Sequence, residues 1–268
     1  MITVWLAACN PGKRLAHEFI RNHEGTAVFV IPTYQLGLDN LVISYDTNMV
    51  YSEAQYDSIA WVQSCYIKQL SDSVFLTRFT NSLVSELDKC GFDVYLGDTR
   101  DAFNQLPTPG IIVKIAQLHI NETHTTRMYE VFYEKIQGYE YENAYLRMNM
   151  LNMLSWFEIN TADSNKMQLL FRDEAIVDHL TQGFDFVMNK GNEGLQQNRD
   201  SLELADVYNL ADESGRGHAW SVYDFLMNEY ISRNLTTSLP EQPYYYYDRK
   251  TRSLKTGINE WIEIPVGQ

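Results

Sequence analysis

The chain has 268 residues, of which 45% are hydrophobic and 21% charged, and its formal net charge is -14 at pH 7. This length and composition are typical of a folded chain with a sizeable apolar core and argue against disorder. The negative charge argues against binding to a nucleic-acid backbone or to anionic lipid headgroups, since both contacts need clustered Lys and Arg.

The N-terminus carries the quartet Leu6, Ala7, Ala8 and Cys9 after a short apolar stretch and before the polar and basic residues NPGKR. The quartet resembles a bacterial lipobox. This resemblance implies that Cys9 is diacylated and becomes the first residue of a mature, membrane-anchored protein. No Lys or Arg precedes Cys9, and the apolar stretch is shorter than in a complete secretory signal. The alternative is an ordinary edge strand with Cys9 as a small buried side chain.

The residues that follow Cys9 bear on the cellular location. In Bacteroidetes-type lipoproteins, acidic residues after the cysteine are associated with surface export, whereas the segment here begins polar and then basic. The resemblance therefore implies an outer-membrane lipoprotein that faces the periplasm and touches the membrane only through its lipid. The other two cysteines, Cys65 and Cys90, either pair in an oxidising compartment or stay as buried thiols, and the second alternative is favoured.

Residues 26–160 predict an α+β domain with an antiparallel sheet and covering helices. A β-branched run at 26–33 predicts a strand, and apolar residues four apart from Phe75 to Leu87, followed by Gly91, predict a helix. Further strands are predicted at FDVYLGD, GIIVKIAQLHI, MYEVFYEKI and AYLRMNMLNMLSWFEI. This order of elements resembles auxiliary and assembly lipoproteins of the bacterial envelope, such as transport-auxiliary lipoproteins and activators of penicillin-binding proteins, which bind partner proteins.

A polar stretch at 160–166 predicts a boundary between two subdomains. The chain is thus divided into a truncated lipoprotein signal and linker at 1–25, the α+β domain at 26–160 and a more helical C-terminal part at 161–268. In that last part, 167–191 predicts a helix with an ambiguous period, 192–217 is acidic and partly loop-like, and 218–234 predicts a clear helix. The end predicts a β-hairpin that turns within DRKT.

Two short motifs contain residue types that bind ligands, and each also has a structural explanation. His119, Glu122 and His124 are residue types that bind zinc, but their spacing matches no zincin motif, so a polar hairpin turn is favoured and no metal or other cofactor is expected. Gly215 and Gly217 flank Arg216 at a predicted helix start, and the free N–H groups of a helix start can bind an anion. A helix start capped by Ser214 or a neighbour explains the same residues and is favoured.

The tyrosine-rich hairpin is the main candidate for an interaction site. Four tyrosines precede the only basic cluster of this acidic chain; the predicted contact residues are Tyr244, Tyr245, Tyr246, Tyr247, Arg249, Lys250 and Arg252. Alternation along a strand places two rings on each face, so one pair is available to stack on a sugar or a protein partner. The alternative is a hairpin with one tyrosine face packed and its basic turn solvated.

Two functions are therefore expected from the sequence. The first is a non-catalytic, membrane-anchored lipoprotein that binds or positions a partner protein in the cell envelope. The second is a glycan-binding or small-ligand-binding or processing protein that uses paired carboxylates and exposed tyrosines. The chain lacks GxSxG, SxxK and other nucleophile motifs, so a binding role is favoured over an enzyme. A large pocket with convergent polar groups favours the second function, and a flat exposed aromatic patch favours the first.

Overall fold

A computed structural model describes residues 10–42, 52–135, 138–161, 168–189, 192–235, 243–258 and 262–264. The helices are α1 (Pro11–Asn22), α2 (Glu53–Gln63), α3 (Asp72–Lys89), α4 (Arg100–Asn104) and α5 (Leu204–Asn234). The strands are β1 (Ala27–Ile31), β2 (Leu36–Asn40), β3 (Asp93–Leu96), β4 (Ile111–Lys135), β5 (Gly138–Thr161), β6 (Gln168–Val177), β7 (His179–Asn189), β8 (Asn192–Asp200), β9 (Tyr244–Asp248), β10 (Ser253–Gly257) and β11 (Ile262–Ile264).

A seven-stranded sheet in the order β11-β6-β5-β4-β1-β3 forms the centre of the fold, with β2 also paired to β4. The pairs from β11 to β4 are antiparallel, whereas β1 pairs in parallel with both β3 and β4, and β2 pairs in parallel with β4. Two separate hairpins, β7-β8 and β9-β10, complete the described strands. The structure confirms the α+β class, with helices covering a sheet and a long C-terminal helix followed by a hairpin.

A β-bulge in β4 keeps its apolar side chains on the side of the core. Val113 and Ile115 are buried at odd positions, while Leu118 and Ile120 are buried at even positions. The register against β5 shifts between Ile115 and Gln117, and the extra residue reverses the alternation. The helix predicted at 73–90 is confirmed as α3, whose buried side chains pack in the same core cluster.

The helix predicted at 167–191 is wrong. The described part of this segment forms β6, which pairs with β5 and β11, and β7, which pairs with β8. Leu180, Phe184 and Met188 lie four apart, which favoured a helix, but pairing with a neighbouring strand overrides local periodicity. The hairpin turn within DRKT is confirmed between β9 and β10.

Helix α5 begins 14 residues before the predicted start at 218, so the helix starts at Leu204 and runs for 31 residues. The structure therefore places Ser214, Gly215 and Gly217 in the middle of a helix, where the backbone N–H groups bond within the helix and offer no anion site. The core cluster contains residues from both sides of the predicted boundary at 160–161, among them Phe157 and Val222. None of the helices in the described ranges combines the length and the hydropathy that a membrane-spanning helix requires.

Candidate functional site

A cleft of about 970 Å³ lies between α5 and the β9-β10 hairpin, and we call it the hairpin cleft. This volume lies within the range of roughly 300–1,000 Å³ that small-molecule sites occupy. Its lining combines aromatic rings with charged and hydroxyl groups: Arg172, Gly217, Trp220, Ser221, Asp224, Tyr244, Tyr246, Tyr247, Asp248, Arg249, Lys250, Gly257 and Ile258. The hairpin cleft therefore contains five of the seven contact residues expected from the sequence.

Two side chains of α5 hold the hairpin in place. Asp224 Oδ1 accepts a hydrogen bond of 2.9 Å from the backbone N–H of Tyr247, and Asn228 Oδ1 accepts one of 2.9 Å from that of Tyr245. The Asn228 amide also donates to the Tyr245 carbonyl at 2.7 Å. Asp224 and Asn228 lie on the same helix face, and alternate residues of a strand edge present their backbone groups to one side. The helix thus satisfies the free edge of β9 and fixes one wall of the cleft.

The four tyrosines of β9 divide between the core and the cleft. Tyr245 is only 2% exposed and belongs to the core, and the half-buried Tyr247 packs against the core and also borders the cleft. Tyr244 and Tyr246, which lie on the opposite face of the strand, line the cleft and are half-buried. The Tyr246 ring lies so close to the backbone of Gly257 that a Cβ there would stand 2.8 Å from it. One tyrosine face is packed, and the other borders a concave site rather than a flat patch.

Trp220, Arg249 and Glu86 form a hydrogen-bonded cluster at one side of the cleft. The Arg249 guanidinium lies 4.4 Å from the centre of the Trp220 ring, and its Nη1 lies 2.9 Å from Glu86 Oε1. The Trp220 indole N–H donates to the same oxygen at 2.8 Å. Burial opposes ionisation of Glu86, but the bonds from Trp220 and Lys89 and the charge of Arg249 hold its pKa below the usual value. The guanidinium therefore faces the cleft with its charge already neutralised.

An ion pair between Arg172 and Glu174, beside the open backbone of Gly217, defines the floor of the cleft. Arg172 Nη2 lies 2.9 Å from Glu174 Oε1, and Arg172 Nη1 donates to Ser221 Oγ at 2.6 Å. Gly217 lies above this pair, and a Cβ built there would stand 3.5 Å from Glu174 Oε1 and 3.6 Å from Arg172 Nη2. The floor thus presents a hydrogen-bond donor, Arg172, and an acceptor, Glu174, whose charges neutralise each other.

The basic turn forms the exposed rim. Asp248 accepts hydrogen bonds from the Lys255 ammonium and from the backbone N–H groups of Lys250 and Thr251, so its pKa lies well below the usual value. Lys250 lines the cleft, and among the described residues no carboxylate pairs with its side chain. Arg252 adopts a positive φ of 49° in the turn and does not line the cleft.

Beneath the floor lies a sealed serine–histidine pair that the sequence did not predict. His218 Nδ1 lies 2.6 Å from the Ser214 carbonyl and must carry the proton that bonds to it, so Nε2 accepts from Ser155 Oγ at 2.6 Å. Both side chains are completely buried, and burial, together with the nearby charge of Arg172, lowers the pKa of His218 to about 3. The pair resembles a nucleophile and base in its atoms, but a substrate cannot reach Ser155 in this conformation.

The three residues considered as metal ligands have separate contacts. His119 points to the opposite strand face from Glu122 and His124, and its Nε2 lies 2.6 Å from Asp39 Oδ2. The His124 imidazole contacts Arg147 at 3.2 Å. Among the described residues, no group of three or more His, Cys, Asp or Glu side chains is arranged to hold a metal ion.

Glu122 has a structural contact that explains its position. Its carboxylate accepts backbone N–H bonds from Cys65 at 2.6 Å, Tyr66 at 3.1 Å and Ile67 at 3.3 Å, at the start of a short 3-10 helix. The structure therefore corrects the interpretation of this motif as a polar hairpin turn, because all three residues lie within the long strand β4.

Of the remaining sequence candidates, Cys9 lies outside the described residues. Of the two described cysteines, Cys65 is exposed, Cys90 is buried, and both are free thiols. Burial raises the pKa of Cys90 to about 12. The exposed position of Cys65 differs from the expectation of two buried thiols.

Sequence reasoning missed the α5 and β6 side of the cleft. Arg172 and Glu174 lie in a segment predicted as a helix, where their contact with α5 was not foreseeable. Asp224 and Asn228 are four residues apart within the predicted helix, and this spacing was the available signal for a polar contact on one helix face. Comparison with protein-family models and with curated proteins finds no match to the chain, so the functional proposal rests on geometry.

Proposed function

We propose that this protein binds a small ligand in the hairpin cleft, without chemical conversion of that ligand. The observation that carries the proposal is the concave site of about 970 Å³ in which aromatic rings and polar groups converge. The sequence left two alternatives open, and the concave shape of this site supports ligand binding over a flat contact with a partner protein.

The polar groups of the cleft are better suited to binding than to acid–base chemistry. Asp248 is held as a carboxylate by Lys255 and by two backbone N–H groups, which disfavours the protonated form that a general acid needs. Asp224 accepts the backbone N–H of Tyr247 and so holds the wall in place. Groups with fixed partners are pre-organised, which reduces the loss of side-chain entropy on binding.

A ligand panel measured by isothermal titration calorimetry tests this proposal. The panel contains neutral oligosaccharides, acidic oligosaccharides, nucleosides and aromatic amino acids, so that each class matches a different subset of the lining groups. We expect at least one class to bind at one site per chain, and Tyr246→Ala to abolish that binding. Tyr34→Ala is the matched control, because Tyr34 is 85% exposed and does not line the cleft.

Two results would overturn ligand binding at this site. One is that no class in the panel binds, and the other is that Tyr246→Ala binds as tightly as the wild type. Circular dichroism of each variant shows whether the fold is retained, so loss of binding is not confused with unfolding.

We also propose, from the lipobox resemblance alone, that Cys9 carries a lipid that places this cleft on the periplasmic side of the outer membrane. The supporting observation is the quartet LAAC before a polar and basic segment. Expression of the native gene with its upstream region should yield a mature chain that begins at acylated Cys9, and Cys9→Ala should abolish this mass. An unprocessed Met1 terminus would contradict the anchor and leave the ligand-binding proposal unaffected.

A further inference from the structure

We infer, on the basis of the proposed function, that the ligand of the hairpin cleft is an uncharged carbohydrate, with one hydroxyl group seated over the open backbone of Gly217. Three features of the cleft point to this ligand: a helical glycine that packing does not require, ion pairs that neutralise most of the charged groups, and tyrosine rings along one wall.

Gly217 has no packing reason to be glycine. A Cβ at this position would meet its nearest neighbours at 3.5 to 3.7 Å, which is ordinary van der Waals contact. Glycine destabilises a helix interior relative to alanine, because it restricts the unfolded chain less. Since Gly217 lines the cleft, the absent side chain leaves room for a ligand atom.

The groups around this space suit a hydroxyl. An atom placed where the methyl group of alanine would stand is 3.5 Å from Glu174 Oε1, an acceptor, and 3.6 Å from Arg172 Nη2, a donor. A hydroxyl group is both a donor and an acceptor, so a small inward shift lets it bond to both partners. Neighbouring Ser221 adds a hydroxyl to the same floor.

The charges around the cleft favour a neutral ligand. Arg172 is paired with Glu174, Arg249 with Glu86, and Asp248 with Lys255. An anionic ligand would have to compete with bound carboxylates in a chain of net charge -14, and a cationic ligand would have to displace bound guanidinium groups. Two lining groups stand outside these ion pairs: Asp224, which accepts the backbone N–H of Tyr247, and Lys250 at the exposed rim, which has no carboxylate partner among the described residues.

The aromatic wall suits a sugar ring. Tyr244 and Tyr246 line the cleft on one face of β9, and the absence of a side chain at Gly257 lets the Tyr246 ring lie against the backbone of β10. A pyranose ring has apolar C–H faces and a polar edge, so it stacks on tyrosine while its hydroxyl groups reach the floor.

The test is calorimetric titration of the full chain with neutral oligosaccharides of glucose, mannose, xylose and N-acetylglucosamine, beside oligogalacturonate and nucleosides. We expect a neutral oligosaccharide to bind. Gly217→Ala should weaken this binding by about tenfold or more, because a single methyl group misplaced in a binding site has effects of that size. The same variant should raise the thermal midpoint by roughly 2–4 °C, because alanine stabilises the helix.

Arg216→Ala is the matched control, because this exposed neighbour lies on the same helix turn but does not line the cleft, so it should keep wild-type affinity. Binding of oligogalacturonate without any neutral sugar would overturn the uncharged ligand, and binding of a nucleoside alone would overturn the carbohydrate class. Either result would leave the ligand-binding proposal standing. Tight binding of a neutral sugar by Gly217→Ala would overturn the site on the floor. Failure of every probe would overturn the carbohydrate ligand, and failure of the aromatic amino acids as well would overturn the proposed function.

Discussion

The two faces of α5 use similar residues for different purposes. On the face that packs against α3, Gly215 is required because a Cβ there would stand 2.4 Å from the Phe79 carbonyl oxygen. On the face that borders the hairpin cleft, Gly217 meets nothing closer than 3.5 Å. The buried face carries His218, which bonds to Ser155 of β5, while the cleft face leaves polar groups within reach of solvent.

The structural role of a glycine in α5 therefore depends on what the helix packs against at that position. Gly215 permits α3 and α5 to approach closely, and Gly217 leaves space at the floor of the hairpin cleft. Both are two residues apart in an otherwise regular helix, so the local pattern does not distinguish them. Substitutions on the buried face and on the cleft face should therefore differ in the size and the sign of their effect on stability.

The largest effect is expected from acid titration of the buried face. The imidazole has a pKa of 6.5 when unperturbed and of about 3 at His218 in the fold. The stability that depends on neutral His218 is therefore fully present above pH 6.5 and is lost as the pH falls toward 3. The loss amounts to about 3 kcal/mol between pH 6.5 and pH 4, at roughly 1.4 kcal/mol per pH unit.

Urea titrations of wild type and His218→Gln at pH 7, 6, 5 and 4 measure this contribution. The variant should show a shallower fall of the unfolding free energy with decreasing pH, while His179→Gln, which changes an exposed side chain, should follow the wild type. Parallel pH profiles for wild type and His218→Gln would show that His218 is not buried in its neutral form.

The next effect is expected at the α3 contact. Gly215→Ala should lower the unfolding free energy by about 2 kcal/mol, because the added methyl group meets a backbone oxygen that cannot move without shifting a helix. Denaturant unfolding of the variant measures the change. A stability equal to or above that of the wild type would contradict the close approach of α3 and α5.

The same substitution on the cleft face should have the opposite sign. Gly217→Ala should raise the unfolding free energy by about 1 kcal/mol, which is the usual advantage of alanine in a helix interior. The measurement is made beside Gly215→Ala under identical conditions. If Gly217→Ala destabilises the protein instead, Gly217 has a packing role and the comparison between the two faces fails.

The smallest effect is expected at the rim of the cleft. Arg249→Lys keeps the positive charge but loses the planar group over Trp220, so stability should fall by only about 0.5 kcal/mol. The Arg249 side chain is 47% exposed, which keeps its contribution small. Thermal unfolding measures this change, and a loss several times larger would show that Arg249 belongs to the core rather than to the cleft wall.

The sequence predicted the elements whose local signals were strong. The period of four from Phe75 to Leu87 matched α3, and the β-branched run at 111–120 matched part of β4. The DRKT turn placed the terminal hairpin correctly. The sequence also selected five residues that line the cleft, because four tyrosines beside basic residues are unusual in an acidic chain.

The errors occurred where distant contacts outweigh local preference. Leu180, Phe184 and Met188 have helical spacing, yet their segment forms a strand because the neighbouring chain offers backbone partners. Gly215 and Gly217 suggested a helix start, yet α5 continues through them because contacts with α3 and the core stabilise the helix as a whole.

By itself, the sequence determined the α+β class, several elements and the composition of the hairpin, because these depend on side-chain periodicity and turn chemistry. Only the tertiary structure decided that β6 supplies Arg172 and Glu174 to the floor and that α5 holds the edge of β9 through Asp224 and Asn228. These contacts join residues far apart in the chain, and the free energy that selects them comes from packing and hydrogen bonding in the complete fold.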